Sequence, residues 1–166
     1  MTVKDYFLSL SSNLHVTSPY GLRIHPITGE EQFHPAIDIA GEAEGFPTLC
    51  PRRAIVSNCG YSSSYGNFVL LGLLAEKYEI FIAHLKDIKV AMDEIINPGK
   101  NIGGMGKTGR VTGTHWHIEV RHGGEKHNPA LWPLDGFKLP DRPKTFDYSL
   151  FSRRPILLRQ QHKGRR

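Results

Sequence analysis

The residues of this chain that are best suited to chemistry are four histidines and one aspartate, spread over three segments. His34 and Asp38 belong to the first segment, His84 to the second, and His115 and His117 to the third. Imidazole nitrogens and carboxylate oxygens bind zinc at about 2.0–2.2 Å, and histidine also transfers protons near neutral pH. The three segments therefore predict a metal site or an acid–base site, provided that the fold brings them together.

The third segment has the pattern of a β-strand, in which successive side chains point to opposite faces. One face would carry His115, His117, Glu119 and Arg121, and the other Thr114, Trp116, Ile118 and Val120. Two imidazoles on one face can share a metal ion or divide the roles of ligand and catalyst. The same pattern also fits a polar strand face turned to solvent, so both interpretations stay open for this segment alone.

The first two segments are less specific when each is taken alone. On a straight strand the side chains of His34 and Asp38 would lie about 13 Å apart, too far to share an ion. Pro35 predicts a bend after His34, and the two isoleucines that flank Asp38 predict that its carboxylate points away from the face they bury. His84 follows an apolar run, where a packed or capping histidine fits as well as a catalytic one.

The elements that must position these residues are predicted to be mainly strands. Short β-branched or aromatic runs at 54–57, 67–71, 79–83 and 116–120 are bounded by turn residues. Only residues 86–96 have apolar side chains at helical spacing, and Asn97, Pro98 and Gly99 would end such a helix. With 17 glycines and 11 prolines in 166 residues, the chain is expected to form a mostly antiparallel β domain with one or two short helices.

Charge and composition divide the chain into a lead-in at residues 1–17, a compact domain at 18–135 and a basic tail at 136–166. The end of the tail carries six cations and no acid: Arg153, Arg154, Arg159, Lys163, Arg165 and Arg166. With a net charge of +5, a basic tail suits a solvated extension, or docking of Arg153–Arg166 on an anionic envelope surface or a virion protein. No nucleic-acid partner is predicted.

Neither a membrane-spanning segment nor a secretory signal peptide is predicted, because no apolar run approaches about 20 residues and the N-terminus lacks a sustained apolar stretch. Cys50 and Cys59 are nine positions apart. On one strand they would lie about 30 Å apart, beyond disulfide range, so free thiols are expected. A bridge that closes an irregular loop is the alternative.

The histidine segments occur in an order that resembles the lysostaphin-like (LytM-type) metallopeptidases, which carry H-x-x-x-D, then H-L after a strand, then H-x-H. Further matches are the lead-in at 18–29, the Tyr-Gly-Asn turn at 65–67, the glycine-rich approach at 103–113 and the Asn-Pro pair at 128–129. The resemblance covers roughly residues 18–131. Ala36 stands where the family often has glycine, and Trp116 where it has leucine.

This resemblance implies a duplicated-hybrid-motif-like fold and one zinc ion per chain. It implies that His34, Asp38 and His117 bind the zinc, that a fourth position stays open for water, and that His84 and His115 are the catalytic histidines. It also places Arg23 and His25 in the substrate cleft, although a structural role fits both equally. Glu119, on the face of the predicted ligand His117, is a candidate to orient it.

The function implied is hydrolysis of peptide cross-links or stem peptides of bacterial peptidoglycan. A non-catalytic relative that binds cell wall or activates another hydrolase is the alternative, and retention of all five key residues favours the enzyme. A zinc peptidase acting on other peptides is a third possibility. A D-Ala–diaminopimelate link, a stem-peptide bond and a glycine bridge would each fit the site.

The short chain without a leader resembles bacteriophage lytic enzymes. Such proteins are made in the host cytoplasm and act on the wall as endolysins, or are carried in the virion.

Overall fold

The computed structural model describes residues 1–24 and 29–134. Predicted features at His25 and in the basic tail at 136–166 lie outside these residues. The described part contains one helix and twelve strands: α1 (Val3–Leu8), β1 (His15–Ser18), β2 (Gly21–Ile24), β3 (Glu31–His34), β4 (Ile37–Ala40), β5 (Pro47–Leu49), β6 (Ala54–Ser62), β7 (Gly66–Leu73), β8 (Glu79–Leu85), β9 (Ile95–Ile96), β10 (Asn101–Gly104), β11 (Trp116–His122) and β12 (Glu125–His127).

Eight of these strands form the main sheet, in the order β1-β4-β11-β8-β7-β6-β9 with β12 added beside β11. Every described strand pair is antiparallel. Strands β2 and β3 form a separate hairpin, and β5 pairs with β10. The four predicted strands correspond to β6, β7, β8 and β11, so the mostly β, antiparallel prediction with a short helix is confirmed.

The core lies against one face of the main sheet, because alternate residues of its central strands are apolar. On β11 these are Trp116, Ile118 and Val120, all fully buried, as predicted. The Trp116 indole N–H donates to the Thr48 hydroxyl oxygen at 2.7 Å, so its one polar atom is satisfied inside the core. Full burial of a Leu- or Ile-sized side chain contributes about 1.5–3 kcal/mol, which fixes the face that each strand presents.

Helix α1 begins at a capping box that the sequence interpretation missed. The Thr2 hydroxyl accepts from the Asp5 amide at 3.1 Å, and the Asp5 carboxylate accepts from the Thr2 amide at 3.1 Å. Val3 and Phe7 of this helix are fully buried in the core. The predicted boundary of the lead-in, after residue 17, falls inside β1.

The predicted helix at 86–96 is wrong. Ile95 and Ile96 instead form β9, which pairs with Ile55 and Ala54 of β6. The Asp93 amide also donates to the Val56 carbonyl at 2.9 Å. Pairing with β6 therefore gives hydrogen-bond partners to backbone groups that a helix would have paired internally. These tertiary contacts override the helical preference that the apolar spacing suggested.

Both cysteines are free thiols, as predicted. Burial raises the pKa of the Cys50 thiol to about 11. In residues 1–24 and 29–134, no helix combines the length and apolar character that crossing a membrane requires.

Candidate active site

Three side chains meet on one face of the main sheet, where β4 pairs with β11 and the end of β3 approaches them. Asp38 on β4 and His117 on β11 are direct partners in the antiparallel register. His34 ends β3, and Pro35 and Ala36 turn the chain into β4. The Asp38 Oδ1 atom therefore lies 3.4 Å from His34 Nε2 and 3.0 Å from His117 Nδ1. The bend predicted after His34 removes the separation that a straight strand would impose.

Each of the two imidazoles is oriented by a contact at its other nitrogen. His34 Nδ1 lies 3.0 Å from the Pro19 carbonyl oxygen, to which it donates. His117 Nε2 lies 3.2 Å from Glu119 Oε1. In a neutral ring these contacts leave the lone pairs of His34 Nε2 and His117 Nδ1 directed at the Asp38 carboxylate.

This donor set fits a zinc ion. One ligand atom from each of His34, Asp38 and His117 can be chosen so that all lie within 4.8 Å of one another, and all three residues are buried. Tetrahedral zinc with bonds of 2.0–2.1 Å separates its donors by roughly 3.4 Å. A cation would also satisfy acceptor atoms that otherwise face each other, so the chemistry of the cluster agrees with the predicted ligands.

Glu119 is the most heavily paired buried side chain of the described site. It is fully buried, and its carboxylate accepts from Arg121 Nε at 2.7 Å, from Lys126 Nζ at 2.7 Å and from the Tyr65 hydroxyl at 3.2 Å. Buried charges need such partners to offset the loss of hydration. The network holds the oxygen that contacts His117 in place, as expected for a residue that orients a ligand. The solvent-facing interpretation of this strand face is therefore wrong.

The pKa values of the cluster reflect these contacts. Burial acts to raise the pKa of Asp38, but its contacts with His117 and His34, which are hydrogen bonds when those rings are protonated, outweigh it and hold the pKa well below its usual value. Burial acts to lower the pKa of His117, and its contacts with Asp38 and Glu119 reverse the shift. For Glu119, burial is outweighed by hydrogen bonds with His117 and Lys126, so its pKa falls to about 2.

His84 and His115 stand beside the cluster with their rings 4.9 Å apart between centroids. His84 Nδ1 lies 2.9 Å from the Thr108 carbonyl oxygen, and His115 Nδ1 lies 2.9 Å from the Gly113 carbonyl oxygen. Each ring therefore carries its proton on Nδ1 when neutral and keeps the Nε2 lone pair available. Burial lowers the pKa of His84 to about 4, although its contact with Thr108 opposes the shift.

Both orienting carbonyls belong to one loop, residues 105–115, which packs closely against neighbouring backbone at Gly106 and Gly109. A Cβ on Gly106 would lie 2.3 Å from the Lys86 backbone nitrogen, and one on Gly109 would lie 2.3 Å from the Gly66 backbone nitrogen. Gly109 also has a φ of +80°, a conformation that glycine adopts without strain. Gly106 and Gly109 thus allow the loop to pack where the Thr108 carbonyl reaches His84.

The cluster opens into a cleft of about 340 Å³. A second hollow of about 290 Å³ continues beyond it, and Arg23, Asp38, Thr112 and His115 line both. Arg23 thus lies where the sequence interpretation expected it, in the cleft, whereas His25 is outside the described residues. Sequence reasoning missed Tyr65, Lys126 and Arg110. Tyr65 belongs to the matched turn at 65–67, but no local signal connects Lys126 to a carboxylate seven positions earlier.

Comparison with known proteins agrees with this geometry. The chain is 35% identical over 115 residues to the DD-carboxypeptidase/endopeptidase Mpg of Neisseria meningitidis serogroup B, across 69% of this chain and 26% of that protein. It is 33% identical over 112 residues to the peptidoglycan DD-endopeptidase ShyC of Vibrio cholerae, across 68% of this chain and 25% of that protein. The chain thus spans about a quarter of the length of these relatives.

Solved structures show the same fold. The catalytic domain of the prophage-encoded protein EnpA from Enterococcus faecalis, determined as a variant, matches with a TM-score of 0.64 and 27% identity, over 76% of this chain and 95% of that one. A zinc-containing peptidase from Vibrio cholerae also matches with a TM-score of 0.64, at 26% identity, over 72% of this chain and 37% of that one. The lysostaphin catalytic domain from Staphylococcus simulans, at 22% identity, supports the fold alone.

The sequence profile of peptidase family M23 matches residues 32–129, which is more than half of the chain and contains all five residues of the site. The chain therefore belongs to peptidase family M23.

Proposed function

We propose that this chain is a zinc endopeptidase that hydrolyses D-alanyl peptide cross-links of bacterial peptidoglycan. The observation that carries the proposal is the cluster of His34, Asp38 and His117 at the base of an open cleft, with two further oriented histidines beside it. The name of the Vibrio relative, a peptidoglycan DD-endopeptidase, supports peptidoglycan as the substrate. The DD designation that it shares with the Neisseria relative supports a bond between two D-configured centres, as in a D-alanyl cross-link.

In this proposal His34, Asp38 and His117 hold one zinc ion per chain. When bound in such a site, zinc polarises a carbonyl and lowers the pKa of a water molecule towards 7. Three protein ligands leave the fourth position of a catalytic zinc site open to the cleft. Glu119 keeps the His117 ring in the orientation that directs Nδ1 at the metal position.

His84 and His115 are proposed to be the catalytic histidines. His115 Nε2 lies 3.9 Å from Asp38 Oδ1, which places it within reach of a molecule held beside that carboxylate. Because Nδ1 of each ring donates to a carbonyl, Nε2 is the atom that accepts a proton from the attacking water or returns one to the leaving amine. The low pKa of His84 keeps it neutral at neutral pH, so this ring is suited to accept a hydrogen bond or a proton.

Digestion of purified sacculi tests the proposal. Mass spectrometry of the fragments is expected to show cross-linked muropeptides converted to monomers, with one new amine for each D-alanyl bond cut. A strong chelator should stop the reaction, and added zinc should restore it. Absence of a new amine, which would suit a wall-binding protein, contradicts the proposal, and so does release that continues in the chelator.

A bacteriophage setting, with action on the host wall or from the virion, is part of the proposal. This part is supported by the likeness to the prophage-encoded protein EnpA, because the match covers 95% of the EnpA catalytic domain.

Glu119→Gln is expected to weaken zinc binding by about 10- to 100-fold, because the loss of a carboxylate that orients a histidine ligand typically has this effect. The amide preserves the shape of the side chain but removes the negative charge shared with His117, Arg121 and Lys126. Competition with a chromogenic chelator would measure the dissociation constant. The matched control is Glu125→Gln on β12, an exposed residue. Equal zinc affinity of the Glu119 variant and the control would contradict the assigned role.

A further inference from the structure

The Arg23 side chain enters the cleft from the β2–β3 hairpin. Its strand neighbours Leu22 and Ile24 point to the opposite face, where they are 69% and 65% exposed. Arg23 itself is half-buried and lines both hollows, on either side of the Asp38 carboxylate and the His115 ring. Arg23 therefore belongs to the same cleft as the Asp38 carboxylate and the His115 ring.

This guanidinium has an unused donor. Its Nε atom is fully buried and has no hydrogen-bond partner among the described residues. Buried nitrogens of this kind are rarely left without an acceptor, because the lost hydration is not otherwise replaced. No described protein group therefore holds the guanidinium through this atom.

The charge balance of the cleft indicates what kind of acceptor this is. Arg23, Arg110 and Asp38 are the only Asp, Glu, Lys or Arg residues that line the two hollows in the described part of the chain. Asp38 is committed to His34 and His117. Neither arginine pairs with a carboxylate in residues 1–24 and 29–134, so the uncompensated charge is positive. A guanidinium presents donors in a planar fork that matches a carboxylate.

We propose that Arg23 binds a free carboxylate carried by the carbon atom next to the scissile nitrogen, and that the enzyme selects such bonds. This inference rests on the proposed function. In a D-Ala–diaminopimelate cross-link, the carbon that bears the scissile nitrogen also bears a free carboxylate. In a glycine bridge the corresponding carbon bears two hydrogens and a peptide carbonyl, with no free carboxylate. Arg23 would thus distinguish cross-link chemistries that fit the metal site equally well.

A pair of synthetic cross-linked peptides tests the inference. The two peptides are identical except that the carboxylate next to the scissile nitrogen is free in one and a carboxamide in the other. The zinc-loaded protein is expected to cleave the acid with a kcat/KM about 10- to 100-fold higher, because a hydrogen bond to a charged group has this strength. Arg23→Gln should bring the ratio close to one by slowing cleavage of the acid, and Arg23→Lys should give an intermediate ratio.

Arg110→Gln tests the other arginine of the cleft, which is exposed and lines only the first hollow. It should keep the preference for the acid. Zinc content is measured for every variant, so that loss of metal is not mistaken for loss of recognition. Equal cleavage of both peptides by the unaltered protein overturns the inference. An equal slowing of both peptides by Arg23→Gln, or loss of the preference in Arg110→Gln alone, also overturns it.

The two proposals fail in different ways. If the unaltered protein releases monomers from sacculi but cleaves the acid and the amide alike, only the role of Arg23 is lost. If it cleaves neither sacculi nor either peptide, the proposed function is lost, and the carboxylate inference is lost with it.

Discussion

His117→Ala is expected to leave the protein without bound zinc and to lower endopeptidase activity by about 10⁴-fold or more. The side chain supplies one of three proposed donors, at 3.0 Å from the Asp38 carboxylate, and two donors do not make a stable site. Without the metal, water keeps its ordinary pKa of about 15.7 instead of about 7, and the histidines beside the cluster cannot replace that activation.

Metal analysis after gel filtration, combined with cleavage of a soluble cross-linked muropeptide, measures both effects. His15→Ala is the matched control, because His15 is an exposed histidine of the same sheet. Circular dichroism establishes that each variant is folded. One equivalent of zinc in His117→Ala, or activity near that of the control, would show that the ligand assignment is wrong.

The same site predicts how zinc affinity depends on pH. Burial lowers the pKa of His117, but contacts with Asp38 and Glu119 outweigh it and raise the pKa above the usual value for histidine. The imidazole must be neutral to bind zinc, so protons compete with the metal below this raised pKa. Apparent zinc affinity should therefore rise as the pH rises through the pKa and fall on acidification.

His115→Ala and His84→Ala are each expected to keep one equivalent of zinc and to lose about 10²- to 10⁴-fold in kcat, the usual contribution of a positioned acid–base group. Neither ring belongs to the three-residue cluster, and each is held by a loop carbonyl instead. In these variants kcat should fall while the zinc content stays the same, whereas in His117→Ala both should fall.

Single-turnover cleavage of the same muropeptide, with zinc measured in parallel, would test both variants against His15→Ala. If a variant retains the kcat of the control, the replaced histidine is not catalytic. If a variant loses its zinc, the replaced histidine was a zinc ligand or held one in place. Either result would require a different division of roles among the five residues.

The sequence predicted the main strands, and it proposed the residues of the site, but it did not reveal how the strands bring those residues together. The strands were visible because the runs at 54–57, 67–71, 79–83 and 116–120 are short, β-branched or aromatic, and bounded by turn residues. The position of Asp38 opposite His117 was not visible, because register between strands 79 residues apart depends on tertiary packing. The order of the three histidine segments, which resembles the family pattern, indicated that the five residues belong to one site. Their spacing alone did not decide this.

Where sequence reasoning failed, distant contacts were responsible. Residues 88–95 have apolar side chains at helical spacing, yet Met92 and Ile95 are exposed and the segment pairs with the edge strand β6. The partners of Glu119 come from β7's leading turn and from β12, at Tyr65 and Lys126. No local pattern indicates that these two side chains converge on one carboxylate.

A mutation in the loop at 105–115 would affect the two groups of histidines in the site differently. Its Thr108 and Gly113 carbonyls orient both non-ligand histidines, whereas the contacts that orient the ligand histidines come from Pro19 and Glu119, outside the loop. Under the proposed roles, loss of these two carbonyl contacts would disturb the histidines that transfer protons and leave the three zinc ligands with their own contacts. The expected product is a protein that still holds the metal but no longer turns over its substrate.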